Sequence, residues 1–232
     1  MQEKRVRNSM KTKVILVRHG ETEWNALCKF LGTVDLPLNE KGRRQAGYAK
    51  EALKYTQIDV AVSSPMLRAY ETGVIICEDK KLEIIKDNEL REINCGKWEG
   101  LNGNEVEELF PGQIYLWGNE PDACRIEGGE TFRDVSERVI KAFYRIVSEH
   151  RGKTILITSH MISITLLMLH FTGKEVNDIW DVKPIGNAAL NIVEVSEDDQ
   201  VEIVAWSDDS FVPEEDKKGS VLVAGRHYVE EE

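Results

Sequence analysis

Long hydrophobic runs are missing from this sequence of 232 residues, and their absence argues against a membrane-spanning helix. The longest candidate run, residues 161–171, is interrupted by Ser, Thr and His. The basic N-terminal residues precede only a short apolar stretch, VILV, which is too short for the core of a signal peptide. We therefore expect a cytoplasmic protein that does not bind a membrane.

Cysteine is also scarce. The chain has four cysteines, and none of them belongs to a CxxC pair. They are Cys28, Cys77, Cys95 and Cys124. Disulfide bonds are rare in a reducing compartment, and a zinc site needs ligands at closer spacing than these. We expect all four to be buried or incidental thiols, and we expect no bound metal.

Positive charge is in the minority. Lysine and arginine together number 30 against 41 aspartates and glutamates, so the formal net charge is −11. Such an acidic chain is a poor partner for nucleic acid, whose phosphates require a cationic face. A small phosphate compound remains a suitable ligand, because a few arginines can form a local positive pocket. The composition does not specify an oligomeric state.

Apolar, β-branched stretches alternate with helical patterns along the chain, without internal repeats or low-complexity linkers. The predicted strands are residues 13–17, 57–63, 82–86, 154–158, 189–195 and 201–206. The predicted helices are residues 39–55, 65–77, 131–150 and 161–171. This alternation predicts an α/β fold with a mostly parallel central sheet flanked by helices.

The length and the pattern indicate a single α/β domain over residues 13–207. Residues 1–12 are predicted to be a flexible N-terminal arm. Residues 208–232 are predicted to be an acidic C-terminal tail, either solvated or packed on the domain. Its VLVAG stretch is apolar enough to add one strand.

Polar side chains follow three of the predicted buried strands. KVILV leads into Arg18 and His19, QIDVAVS leads into Ser64 with Arg68 about one turn later, and TILIT leads towards His160. Ligands in open α/β sheets bind beyond the carboxyl ends of strands, so we expect these side chains to share one crevice. Two guanidiniums suit a phosphate group, and a neutral imidazole can attack phosphorus. The pattern indicates phosphoryl transfer, for which residues 89–92 offer a carboxylate as the missing acid.

Five ordered segments carry a family resemblance. They are VILVRHGETEWN (14–25), GTVDLPLNEKGRRQA (32–46), SSPMLRAYET (63–72), LREINCGKWEG (90–100) and ITSH (157–160). Together they resemble the motifs of the histidine phosphatase superfamily, which includes the cofactor-dependent phosphoglycerate mutases. The resemblance extends over about residues 13–205 and implies the family's α/β sandwich.

The resemblance also implies roles for individual residues. His19 would be the nucleophile, and Glu92 would be the general acid that afterwards helps to activate water. The implied catalytic set is Arg18, His19, Arg68, Glu92 and His160. The implied substrate-binding set is Arg18, Asn25, Gly32, Arg68, His160 and Met161. Enzymes of this family need no metal, and we expect no cofactor and a small phosphorylated metabolite as the partner.

Some features favour the phosphatase branch over the mutases. The segment between Glu92 and His160 is shorter than the insert that mutases carry, and the WEG at residues 98–100 resembles the phosphatases. Met161 departs from the glycine that usually follows the second histidine, and Leu31 stands where mutases commonly have a small hydroxyl residue. We expect a phosphatase. A phosphoglycerate mutase is the alternative, and a catalytically poor phospho-ligand sensor is a third possibility from another class.

Overall fold

The computed structural model describes residues 11–217, which contain six β-strands in one sheet. The strands are β1 (Thr12–Arg18), β2 (Val60–Ser63), β3 (Ile84–Lys86), β4 (Thr154–Ser159), β5 (Leu190–Val195) and β6 (Val201–Asp208). Their order across the sheet is β3-β2-β4-β1-β5-β6. The pairs β3–β2, β2–β4 and β4–β1 are parallel, whereas β5 is antiparallel to both β1 and β6. The predicted mostly parallel sheet is therefore confirmed.

The helices pack on both faces of this sheet. They are α1 (Glu23–Ala26), α2 (Glu40–Ala52), α3 (Leu67–Cys77), α4 (Gly103–Leu109), α5 (Gln113–Asn119), α6 (Phe132–Glu149), α7 (Met161–Thr172) and α8 (Glu214–Lys217). Side chains of α6 and α7 share the larger core with one face of the sheet, and α2 and α3 cover the other face. None of the helices within residues 11–217 is long and apolar enough to cross a membrane.

Local sequence explains where these helices start. The Asn39 side chain accepts a hydrogen bond from the Gly42 amide and so caps α2. Thr131 and Asp134 form a capping box at the start of α6, whose buried face carries Val135, Val139 and Phe143. These caps and apolar faces agree with the predicted helix positions to within a few residues.

Several predicted boundaries differ from the observed ones by two or three residues, and two of these differences have identifiable reasons. Strand β2 begins at Val60 rather than at residue 57. The Asp59 amide still donates to the Thr154 carbonyl at 2.9 Å, but the Thr154 amide donates to the Asp59 carboxylate at 2.8 Å and not to a backbone carbonyl of the preceding residues. Helix α3 begins at Leu67 rather than at Pro65. The Ser64 hydroxyl first accepts a hydrogen bond from the Met66 amide at 3.3 Å, which makes a short turn between the strand and the helix.

The segment after the last strand packs on the domain as far as the structure describes it. The carboxylate of Asp216 accepts two hydrogen bonds from Arg44 and one from Tyr48 on α2. The side chain of Gln45 donates to the Asp216 carbonyl at 2.7 Å and accepts from the Glu21 amide at 2.8 Å. Residues 1–10 and the VLVAG stretch lie outside the described residues, and the proposed domain limits stay a prediction. Thr12 and Asp208, assigned to the arm and the tail, are strand residues.

Candidate active site

The carboxyl ends of β1, β2 and β4 meet at one edge of the sheet, because these strands are parallel and adjacent. A pocket opens there, with about 410 Å³ of unoccupied space that includes open solvent at its mouth. Its polar walls are Arg18, His19, Asn25, Arg68 and Glu92, and Gly32 and Met161 also line it. His160 lies behind this wall, with its ring centroid 5.2 Å from that of His19 in an edge-to-face arrangement. The structure thus brings all the sequence-predicted site residues together.

His19 follows β1 directly and is buried. Its Nδ1 atom lies 2.7 Å from the carbonyl oxygen of Gly20. A carbonyl can only accept, so Nδ1 carries the proton and Nε2 keeps its lone pair. Burial lowers the pKa of the His19 imidazole well below its usual value, and the positive charges of Arg68 and Arg18 lower it further. The ring is therefore neutral at neutral pH, with a lone pair on Nε2.

The backbone on either side of His19 is tightly held. Gly20 packs against α2 so closely that a β-carbon would lie 2.3 Å from the carbonyl oxygen of Gly42. The His19 amide donates to the carbonyl oxygen of Ser159 at 3.0 Å. The side chain of Asn187 donates to the His19 carbonyl at 2.9 Å. These contacts fix the imidazole relative to the ends of β1 and β4.

Two buried guanidiniums flank the pocket. The Nη1 atom of Arg18 donates to the carbonyl oxygen of Ile185 at 2.6 Å. The two Nη atoms of Arg68 donate to the carbonyl oxygens of Val34 and Gly32, each at 2.9 Å. The Nε atoms of both arginines are buried and have no protein partner among the described residues. Burial lowers the pKa of Arg18 to about 10, so it remains charged at neutral pH.

His160 comes directly after β4 and is fully buried. Its Nε2 atom lies 2.8 Å from the hydroxyl oxygen of Ser64, at the end of β2. Its Nδ1 atom is buried with no partner among residues 11–217. Burial lowers the pKa of His160 well below its usual value, and nearby Arg68 adds to this effect. A second neutral imidazole thus stands beside the first.

Glu92 places a half-buried carboxyl group in the same pocket. Its Oε1 atom accepts from the Ile93 amide at 3.0 Å, and its Oε2 atom accepts from the Ile162 amide at 3.3 Å. Both bonds and the nearby arginines favour the ionised form, but burial outweighs them and raises the pKa of Glu92. A raised pKa favours the protonated carboxyl group, which is the form that a general acid requires.

The remaining predicted residues, Asn25, Gly32 and Met161, also line the pocket. Asn25 lines the pocket while its Oδ1 atom accepts from the Thr22 amide at 3.1 Å, closing a capping box around α1. Gly32 has a φ of 52°, and a β-carbon there would lie 2.2 Å from Oε1 of Glu99. This tight fit explains the glycine, whose carbonyl anchors Arg68. Met161 begins α7, and its side chain is 7% exposed.

Sequence reasoning missed several residues of the site. Ser64 was noted only as a strand-end residue, and its contact with His160 joins positions far apart in the chain. Trp117 also lines the pocket from α5. The Gly20 amide donates to Thr72 Oγ1 at 3.1 Å, so α3 also supports the nucleophile loop. The strand-end position is the one sequence signal that pointed to Ser64.

Potential metal ligands do not cluster in the part of the chain that the structure describes. Within residues 11–217 there is no group of three or more His, Cys, Asp and Glu side chains that could hold a metal ion. The chemical capacity of the pocket rests on two guanidiniums, two neutral imidazoles and one carboxyl group. This set can bind a phosphate group, attack its phosphorus and protonate a leaving oxygen.

Comparisons with known proteins agree with this geometry. The family model described as histidine phosphatase superfamily (branch 1) matches residues 14–209. The chain is 32% identical to phosphoserine phosphatase 1 of Hydrogenobacter thermophilus, over 80% of this chain and 87% of that protein. It is 30% identical to the metal-independent phosphoserine phosphatase of Arabidopsis thaliana, over 87% of this chain and 83% of that protein.

A solved structure is similar over nearly the same region. YhfR of Bacillus stearothermophilus superposes with a TM-score of 0.84 at 31% identity, covering 87% of this chain and 100% of that one. The family match, the relatives and the shared fold therefore agree with the strand-end pocket. The chain belongs to the histidine phosphatase superfamily, as one of its phosphatases.

Proposed function

We propose that the protein hydrolyses a small phosphate monoester through a phosphohistidine intermediate on His19. The observation that carries this proposal is the hydrogen bond from Nδ1 of His19 to the Gly20 carbonyl at 2.7 Å. It leaves the Nε2 lone pair available in a pocket that two guanidiniums make positive. The position of that imidazole between Arg18 and Arg68 supports its role as the nucleophile.

In the first half of the reaction, the Nε2 lone pair of His19 attacks phosphorus, and the bond from phosphorus to the ester oxygen breaks. The leaving oxygen takes the proton of Glu92, so an alcohol departs rather than an alkoxide. Charge on the three transferring oxygens is balanced by Arg18 and Arg68, whose Nε–H groups lack protein partners among the described residues.

His160 is suited to donate a hydrogen bond to the transferring phosphoryl group. The Ser64 hydroxyl oxygen lies 2.8 Å from Nε2 of His160, and in the proposed arrangement the hydroxyl donates its hydrogen to that nitrogen. The proton of the neutral ring then resides on Nδ1, which has no protein partner in the described part of the chain. In this arrangement Ser64 is a positioning residue, and His160 contacts the phosphoryl oxygens.

In the second half, water attacks the phosphohistidine and the bond between nitrogen and phosphorus breaks. The Glu92 carboxylate, left ionised by the first step, accepts a proton from that water, and inorganic phosphate departs. Transfer to a second hydroxyl of a sugar acid, instead of water, would make the enzyme a mutase. The names of the phosphoserine phosphatases among its relatives support hydrolysis.

A steady-state assay with and without chelator tests this function. The wild-type enzyme should release phosphate from p-nitrophenyl phosphate, and excess EDTA should leave the rate unchanged, since the cationic groups are side chains. His19→Ala should lose turnover, because no other lone pair stands in its place. His170→Ala, at the exposed end of α7, is the matched control and should behave as wild type. Near-normal turnover by His19→Ala, or restoration of EDTA-treated enzyme by one metal, would overturn the proposal.

A further inference from the structure

The pocket lining contains two chemically different sets of residues. The polar set contains Arg18, His19, Asn25, Arg68 and Glu92. The other lining side chains are apolar, and six of them are Phe30, Leu31, Ile93, Trp117, Met161 and Ile162. The seventh is Cys95, whose thiol pKa is raised well above its usual value by burial. The part of the substrate beyond the phosphate therefore meets hydrocarbon, aromatic and neutral sulfur surfaces.

The positively charged side chains of the pocket lining already have binding partners. Arg18 and Arg68 are the positively charged side chains in the described lining, and both are needed to hold the phosphate. Their Nη donors are also partly used by the carbonyl oxygens of Ile185, Val34 and Gly32. A second anionic group on the substrate, such as a carboxylate, would enter the pocket without a cation to pair with.

Negative charge near the pocket further disfavours a carboxylate. Glu92 is ionised after it has given up its proton, and it lies in the lining itself. Glu99 packs closely against the lining residue Gly32. A β-carbon on Gly32 would lie 2.2 Å from Oε1 of Glu99. The Glu99 carboxylate is fixed there by the amide and hydroxyl of Thr33, at 2.6 and 2.8 Å. A substrate carboxylate bound beside these two carboxylates would be repelled by their negative charge.

Building on the proposed function, we propose that the substrate is a phosphate monoester whose organic part is uncharged and mainly apolar. An aryl or alkyl phosphate fits this description, whereas an amino-acid phosphate or a phosphorylated sugar acid does not. The proposed substrate of this chain therefore differs from phosphoserine, for which two of its relatives are named. The apolar lining binds the leaving group by burial, and it rejects charged groups because it offers them no partners.

Benzyl phosphates provide a test in which the leaving group changes little in reactivity. We would measure kcat/KM of the wild-type enzyme for benzyl phosphate, 4-carboxybenzyl phosphate, 4-(aminomethyl)benzyl phosphate and phosphoserine. Benzyl phosphate should be preferred by about tenfold or more over each charged compound, the scale expected when a buried polar group lacks a partner. A preference for phosphoserine or for the carboxylated ester would overturn the inference.

A positive charge introduced among the apolar lining residues provides a second test. Met161→Arg should lower kcat/KM for benzyl phosphate and raise it for 4-carboxybenzyl phosphate. Tyr115→Ala, on the exposed side of α5, is the control and should keep the wild-type preference. If Met161→Arg does not fold, Leu31→Arg replaces it with the same expected reversal. An unchanged preference in a folded arginine variant would contradict the inference.

The two proposals fail in different ways. Turnover of phosphoserine faster than benzyl phosphate, still dependent on His19, would overturn the substrate class and leave the phosphohistidine mechanism intact. Failure to release phosphate from any of the four esters would overturn the proposed function, and the substrate class with it.

Discussion

The hydroxyl oxygen of Ser64 lies 2.8 Å from Nε2 of His160, and so joins the end of β2 to the end of β4. Ser64 and His160 are both buried, so no water competes for this contact at the protein surface. We propose that the serine hydroxyl donates its hydrogen to Nε2, which fixes which ring nitrogen of His160 is protonated. The tautomer of one active-site imidazole thus depends on a residue outside the pocket lining.

Removing this hydroxyl should impair catalysis more than binding. Ser64→Ala leaves the His160 ring free to change tautomer and tilt, so kcat should fall roughly 10- to 100-fold while KM changes little. Nitrogen chemical shifts of His160, measured by NMR, should move from the Nδ1-protonated pattern to a mixture of tautomers. Ser64→Thr keeps the hydroxyl and should recover much of the rate.

The control for Ser64→Ala is Thr12→Val, which removes a buried hydroxyl at the opposite end of the sheet. It should lose some stability but keep the wild-type kcat and the His160 spectrum. An unchanged spectrum in Ser64→Ala, with kcat unaltered, would show that the serine does not position the ring.

The loss of rate caused by Glu92→Gln should depend on the leaving group of the substrate. The amide cannot supply a proton, so hydrolysis of an alkyl phosphate should slow by about 100-fold or more. The loss on p-nitrophenyl phosphate should be much smaller, because that leaving group departs as a stable phenolate. The ratio of kcat/KM values on the two substrates is the measurement. Equal losses would assign the acid to another carboxylate, and Glu89→Gln is the comparison variant.

Acidification should destabilise the fold through its buried histidines. The pKa values of His19 and His160 are lowered in the folded protein, whereas the unfolded chain takes up their protons near pH 6.5. The unfolded state therefore binds more protons below about pH 6.5, and the free energy of unfolding should fall by up to ~1.4 kcal/mol per pH unit for each histidine. The raised pKa of Glu92 acts in the opposite sense, favouring the folded state at acidic pH.

Denaturant titrations between pH 5 and 8 measure this slope. His160→Asn removes one of the two groups, so its free energy of unfolding should depend less steeply on pH than that of the wild-type protein. A variant whose pH dependence matches the wild-type curve would mean that His160 gains its proton in the folded state as readily as in the unfolded chain.

The segment after β6 should stabilise the domain through Asp216. Its carboxylate is nearly buried and accepts from Arg44 and Tyr48. Asp216→Ala removes these bonds, so the free energy of unfolding should fall by about 1–2 kcal/mol. Glu215→Ala changes the neighbouring exposed carboxylate and should have little effect. Equal stability of the two variants in urea titrations would show that the segment does not anchor the domain.

Much of this fold could be predicted from local pattern. The runs KVILV and TILIT are apolar enough to identify buried strands, and Asn39 and Thr131 mark helix starts because capping is a local interaction. The strand-end rule then placed Arg18 and His160 near one another without knowledge of the strand order. These inferences require only residues that are close in sequence, or a general property of parallel sheets.

Contacts between distant segments were not predictable in this way. Arg68 is held by the Gly32 and Val34 carbonyls, which depends on how the loop before α2 folds over α3. Trp117 reaches the pocket because the rings of Phe30 and Trp98 pack against it, at centroid distances of 5.4 and 5.6 Å. No local pattern indicates such contacts, since each depends on tertiary packing.

The identity of the phosphorylated residue is the central claim, and trapping the intermediate tests it most directly. Enzyme mixed with a ³²P-labelled phosphate monoester and quenched in alkali within milliseconds should carry label that is lost in acid. Mass spectrometry should place that label on His19, and His19→Ala should carry none. Label on a serine or cysteine, or multiple turnovers without any labelled histidine, would contradict the mechanism.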